Sequence, residues 1–280
     1  MDYVKPADVA TAMAETGLRK LALPPRDLLI RGMLSGAILG VATSLAFTAA
    51  TSTGQPLVGA LIFPVGLIFI VLLGLELITG SFALVPLPWL DGGANAPSGT
   101  AVLTNWAWVF LANLIGSVAY GALLAIALTD MGAIAPSGVA AFIVKLAEAK
   151  TTGYAAFGIA GMVTVFVKAI LCNWMVCLAV VLAMSTNSTL GKIAAAYMPI
   201  LVFFAQGFEH SVVNMFIIPT GMLLGAKVTL ADWWLWNQIP VTLGNLVGGF
   251  VFTGLALYAT YKPAREPIAT TASIVQAAAE

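Results

Sequence analysis

Toward its C-terminal end the chain reads GFEHSVVNM, Gly207 to Met215, and this stretch holds the only histidine of 280 residues, His210, beside an acid, Glu209. An unperturbed imidazole titrates near neutrality, so it can offer either a hydrogen bond or a proton. Other polar groups stand in equally apolar surroundings: Glu76 in GLELITGS (74–81), Asn173 in CNWMVCLAV (172–180), and Lys168 one turn before that asparagine. Glu209-His210-Ser211 resembles a hydrolytic cluster only as a string, because a triad is built from geometry rather than adjacency. One histidine and two cysteines, Cys172 and Cys177, give no metal-binding spacing. Five apart on an apolar segment, the cysteines read as small packing groups. We expect no enzyme, no metal and no cofactor.

The elements that must position these groups are membrane spans. The chain is 60% hydrophobic and 9% charged, where a soluble domain carries about 25% charged residues. Charges are missing from Gly32 to Leu75, Gly92 to Thr129 and Trp233 to Tyr261. A crossing takes roughly 20 apolar residues, so the first interval accommodates two. We read six spans, about 32–51, 57–78, 102–128, 155–184, 193–225 and 233–261. The termini and the loop that shares their side carry Lys5, Arg19, Lys20, Arg26, Arg31, Lys192, Lys262 and Arg265, eight of the twelve cations. The opposite side has Lys145, Lys150 and Lys227. That bias predicts cytoplasmic termini. The N-terminus lacks the apolar core of a cleavable signal, and no basic run points to nucleic acid. Pro6 to Leu21 read as a short surface helix, either docked at the cytoplasmic face or acting as a lid.

The two halves echo each other. SLAF (44–47) recurs as CLAV (177–180), GLE (74–76) as GFE (207–209) and LANLIG (111–116) as LGNLVG (243–248), at offsets of 133, 133 and 132 residues. At this offset Asn173 has Gly40 as its counterpart, and Asn113 has Asn245. Three spans per copy make an inverted-topology duplication, a recurring plan of transport proteins with the route near the midplane. The second and fifth spans both carry internal glycine, proline and acid, and so read as broken helices. Irregular backbone at that depth must be buried in protein or line a cavity. A second half beginning at Ser211, or near Thr79 to Ser81, would aim free N–H groups inward and favour an anion. Glu76 and Glu209 need partners at that depth. We read both as structural acids, accepting from N–H groups of their own broken helix or from a hydroxyl. His210 is read as pore-facing, against the plainer reading of a satisfied core histidine. Lys168 either snorkels or adds positive potential at the outer mouth.

With these residues in view, the chain resembles the formate/nitrite transporter family. GFEHSVVNMFIIPTG (207–221) is similar to its fifth-span histidine motif, CNWMVCLAV to its fourth-span asparagine motif and GLELITGS to its second-span loop motif. The resemblance implies an all-α membrane protein of aquaporin-like plan, with six transmembrane spans in two inverted three-span repeats and two broken helices. It also implies a homopentamer in the inner membrane with one pore per protomer. The Asn-Pro-Ala motifs expected of a true aquaporin do not occur. Carried over, the central histidine is His210, the pore asparagine Asn173 and the loop threonine Thr79. Apolar constrictions fall on Phe63 and Val176 toward the outside and on Leu67, Leu77 and Phe203 further in. The implied function is passage of a small monovalent anion, formate first, with nitrite, hydrosulfide and lactate as alternatives. Passage is either channel-like or proton-coupled. The expected organisation is a cytoplasmic segment 1–31, a transmembrane channel domain 32–261 and a cytoplasmic tail 262–280.

Overall fold

A computed structural model describes residues 2–92 and 96–262. Of the tail expected from 262 onward, everything beyond Lys262 lies outside the described residues. Helix α1 (Pro6–Leu21) has proline in its first turn and Arg19 and Lys20 in its last, the charge placement a helix dipole favours. Its buried Val9, Ala10 and Met13 pack on Ala83, Leu84, Leu87 and Val181. The surface helix expected from the sequence is therefore docked.

The first span is α2 (Pro25–Thr53), which ends on Gly54 in the left-handed region. It starts before residue 32, and of the three charges in that added stretch, Arg26, Asp27 and Arg31, the last two stand at i,i+4 with 3.8 Å between them. The second span is made of α3 (Pro56–Ile62), α4 (Val65–Leu72), α5 (Ile78–Leu84) and α6 (Leu87–Asp91). It thus runs well past 78, where the sequence reading ended it: the break at 73–77 interrupts the apolar run without ending the crossing. The third span is α7 (Gly99–Thr129). Two helices not foreseen follow, α8 (Val139–Ala149) and α9 (Thr152–Ala155). α10 (Gly158–Met184) is the fourth span, and α11 (Thr189–Ala205) with α12 (Ser211–Leu223) make the fifth. The sixth, Leu230–Tyr261, passes through α13 (Leu230–Trp233), α14 (Ile239–Gly249) and α15 (Ala256–Tyr261). Wider π-helical turns, Trp234–Gln238 and Phe250–Leu255, separate its three α-helical pieces.

Spans one, three, four and six are each long and apolar enough to cross a membrane unbroken. With the two broken helices they complete six spans in two inverted repeats, the aquaporin-like plan. Small residues let the backbones approach closely. A Cβ on Gly116 would lie 1.9 Å from the Met33 carbonyl oxygen, and one on Gly248 would lie 2.2 Å from that of Ile170.

These contacts correct one detail of the repeat. Gly116 and Gly248 are equivalent, so Met33 matches Ile170, an offset of 137 between spans one and four. Asn113 and Asn245 give the same answer, because their amides donate to the Gly32 and Ala169 carbonyls. The counterpart of Asn173 is therefore Gly36, not Gly40, and Gly40 matches Cys177. The likeness of SLAF to CLAV is one helical turn out of register with the packing.

Candidate functional site

Both breaks are built in the same way. At the end of α4, Gly74 takes a left-handed φ of 61°, its N–H bonds the Val71 carbonyl and the Leu75 N–H bonds that of Ile70. At the end of α11, Gly207 has φ 63°, and the N–H groups of Gly207 and Phe208 bond the carbonyls of Phe204 and Phe203. These are Schellman caps, which require a residue without a Cβ penalty at the left-handed position. Three non-helical residues follow each cap, Leu75-Glu76-Leu77 and Phe208-Glu209-His210, and a new helix starts at Ile78 and at Ser211. Leu77 and His210 thus occupy equivalent N-cap positions, with φ/ψ of −123°/122° and −112°/121°.

An asparagine from the following span clamps each break. The Asn113 side-chain oxygen accepts from the Ile78 N–H at 2.9 Å, and its amide donates to the Glu76 carbonyl at 2.9 Å. Asn245 accepts from the Ser211 N–H at 2.8 Å and donates to the Glu209 carbonyl at 2.9 Å. Buried backbone groups left unpaired would be costly, and these clamps pair them. The sequence had marked both asparagines only as repeat markers.

The acids have other partners than expected. Lys20, at the end of α1, lies 2.8 Å from a Glu76 oxygen, and Lys150, at the end of α8, lies 2.8 Å from a Glu209 oxygen. The lysine carbonyls are held in turn by the amides of Asn105 and Asn237, at 3.0 and 2.9 Å. Sequence reasoning had assigned these carboxylates to helix N–H groups or a hydroxyl. Only Glu209 takes a hydroxyl, that of Tyr154 at 2.8 Å, and it also accepts from the Asn214 amide at 2.8 Å. Burial and the Glu209 carboxylate push the Tyr154 phenol above its ordinary range. The separations in sequence, 56 and 59 residues, hid the lysines. A signal did exist: Asn105 and Asn237 stand eight before Asn113 and Asn245, at the same 132 offset.

The histidine joins the two breaks. Its Nδ1 accepts the Val213 N–H at 3.2 Å, capping α12, and this bond leaves the ring proton of the neutral imidazole on Nε2. Nε2 stands 3.1 Å from the Thr79 hydroxyl at the start of α5. The Phe203 ring stacks near the imidazole, with centroids 5.7 Å apart, and meets Phe63 edge-on at 5.6 Å. Asn173 is not a hydrogen-bond partner of His210. Its amide donates to the main-chain carbonyls of Thr79, at 3.1 Å, and Asn245, at 2.6 Å, and so ties the two breaks together.

Two vestibules approach this junction. The first, about 810 Å³, is lined by Arg19, Lys20, Lys192, Glu76, Leu67 and Leu77. The second, about 510 Å³, is lined by Lys150, Tyr154, Lys168, Glu209, Phe203 and His210. The family resemblance groups Phe203 with Leu67 and Leu77, but it lies on the other side with His210, because α11 ends there. Phe63 and Val176 are buried and line neither cavity. The Lys168 ammonium sits 5.7 Å above the Tyr154 ring, and its carbonyl accepts the Glu209 N–H at 3.4 Å. Among the described residues no group of three or more metal-ligating side chains occurs.

Comparison with known proteins agrees with this architecture. The family model described as formate/nitrite transporter matches residues 7–259. A probable formate transporter of Methanothermobacter thermautotrophicus is 37% identical over 276 residues, covering 92% of this chain and 97% of its own. The formate channel FocA of Escherichia coli (strain K12) is 28% identical over 288 residues, covering 93% and 95%. A solved FNT family ion channel superposes with a TM-score of 0.78 at 29% identity, over 90% of this chain and 98% of that one. A solved pentameric formate channel with formate bound gives 0.69 at 25%, over 84% and 96%. In sequence and in architecture alike, this chain belongs to the formate/nitrite transporter family.

Proposed function

We propose that this chain passes small monovalent anions, formate first, through a pore in each protomer of a homopentamer, with His210 at its centre. The observation that carries the reading is the Thr79–His210 contact, 3.1 Å, where both helix breaks meet between two vestibules. Relatives titled formate transporter and formate channel favour formate among nitrite, hydrosulfide and lactate. The protein works as a transporter in the inner membrane rather than as an enzyme, with both termini cytoplasmic. The channel domain, expected over 32–261, extends back to Pro25 with the first span, between the N-terminal segment that carries α1 and the 262–280 tail.

The chemistry follows from desolvation. A bare anion in an apolar passage loses its water at a large cost. Beyond the Lys20–Glu76 and Lys150–Glu209 pairs, Arg19 and Lys192 at one vestibule and Lys168 at the other raise local anion concentration. Leu67, Leu77 and Phe203 then strip the hydration shell that larger inorganic ions keep. Nε2–H of His210 and the Thr79 hydroxyl are the donors a dehydrated carboxylate meets. Asn173 serves by holding the Thr79 backbone against that of Asn245, since its amide hydrogens point at those two carbonyls. Proton-coupled passage as the neutral acid is the second form of the mechanism, and the apolar lining suits it.

The test is initial uptake of formate, nitrite, hydrosulfide and lactate into liposomes holding the purified protein. It is run at about pH 5 and about pH 7.5, either side of the ordinary histidine range. Formate leading, with flux that follows membrane voltage, supports the channel form, and flux that follows the proton gradient supports the coupled form. Another anion leading overturns the formate assignment, and no flux of any of the four overturns the transport reading.

A further inference from the structure

Cys177 is a fully buried thiol whose Sγ lies 3.1 Å from the Thr79 carbonyl oxygen. That carbonyl also receives the Asn173 amide, at 3.1 Å, so two side chains of α10 converge on one main-chain atom of α5. The Thr79 hydroxyl, on the same residue, is the group 3.1 Å from His210 Nε2. Fixing the carbonyl of a residue in the first turn of a short helix fixes the rotation of that turn, and with it the direction of the hydroxyl.

The repeat shows that this grip is specific to one half. At the 137 offset set by the helix packing, Asn173 and Cys177 replace Gly36 and Gly40. The counterpart of Thr79 across the break offset of 133 is Val212, and in that half the positions equivalent to the two donors are glycines with no side chain to offer. The general build of both breaks is shared, yet the donors appear only behind the residue that touches the histidine. Gly249 of the sixth span leaves them room: a Cβ there would meet the Asn173 amide nitrogen at 2.6 Å and the Cys177 sulfur at 2.8 Å.

We propose that Cys177 is a positioning residue, which with Asn173 holds Thr79 so that its hydroxyl stays on His210 and sets which anion is preferred. This rests on the reading of Thr79 and His210 given above. The thiol acts as a hydrogen-bond donor of fixed direction and not merely as filler.

The experiment compares the formate-to-lactate flux ratio of Cys177→Ala, Cys177→Ser and Thr79→Ala in liposomes, with thermal stability of each pentamer. Loss of one such hydrogen bond predicts a change of about two- to tenfold in that ratio for Cys177→Ala, with Cys177→Ser restoring the donor and most of the ratio. A ratio unchanged in Cys177→Ala while Thr79→Ala shifts it overturns the positioning role. So does a shift that Cys177→Ser fails to rescue. An unchanged ratio in Thr79→Ala overturns the reading of the site itself, and the cradle with it. A second measurement avoids altering the residue: in Cys172→Ala protein, the infrared S–H stretch of Cys177 falls below that of a free thiol. A free-thiol frequency contradicts the proposal.

Discussion

Lys150 and Glu209 sit 2.8 Å apart at one helix break, in the relation that Lys20 and Glu76 keep at the other. Their side chains are only 12% and 2% exposed, so neither charge is solvated alone. Each pair ties a helix outside the spans to the middle of a broken one. Removing one member of a buried pair leaves the other uncompensated, at a cost of about 3–5 kcal/mol. Glu209→Gln should therefore lower the thermal stability of the detergent-solubilised pentamer strongly while leaving the anion preference of surviving protein unchanged. Glu76→Gln should cost less, because Glu209 also holds Tyr154 and Asn214. A stable Glu209→Gln protein with altered charge preference would count against this structural role.

Tyr154→Phe removes a hydrogen bond to a charged group and should cost about 1.5–3 kcal/mol. The Tyr154 phenol is raised in the folded protein, so it stays a donor throughout the neutral range. Its contribution is complete below the ordinary phenol value of about 10 and fades only above it. Melting temperatures of wild type and variant should differ by a constant amount between about pH 6 and about pH 9. A difference that disappears within that window would show that the phenol ionises there.

Gly116→Ala places a methyl group 1.9 Å from the Met33 carbonyl oxygen, so α2 and α7 must separate. Overpacking of this kind costs about 1–3 kcal/mol. We expect weaker thermal stability and lower yield of assembled protein, measured by size-exclusion chromatography after heating. Wild-type behaviour would mean that these helices are less closely packed than the contact implies.

Much of this was legible in the sequence, and for physical reasons. Charge-free intervals located the spans, Gly74 and Gly207 marked the breaks, and Ser211 began the second half-helix as expected. Short-range chemistry writes itself into neighbouring residues. Lys20 and Lys150 did not show, because each meets its acid across more than fifty residues and lies outside the six spans read from the sequence. A second half of the second span was expected near Thr79 to Ser81, but the span's end was set too early, because Leu73 to Leu77 end one helix without ending the crossing. The register of spans one and four was misread by one turn, since SLAF and CLAV agree in composition while backbone contact decides the pairing. Asn173 read as a pore group, but only geometry could show that carbonyls take both its hydrogens.

The central claim is that His210, held against Thr79, governs which small anion passes. The most direct measurement is formate flux into liposomes for wild type and His210→Ala, each verified as an intact pentamer, at about pH 5 and about pH 7.5. The account predicts that the variant loses selective formate passage, together with any difference between the two pH values measured for wild type. A His210→Ala pentamer with wild-type flux, selectivity and pH response would contradict it.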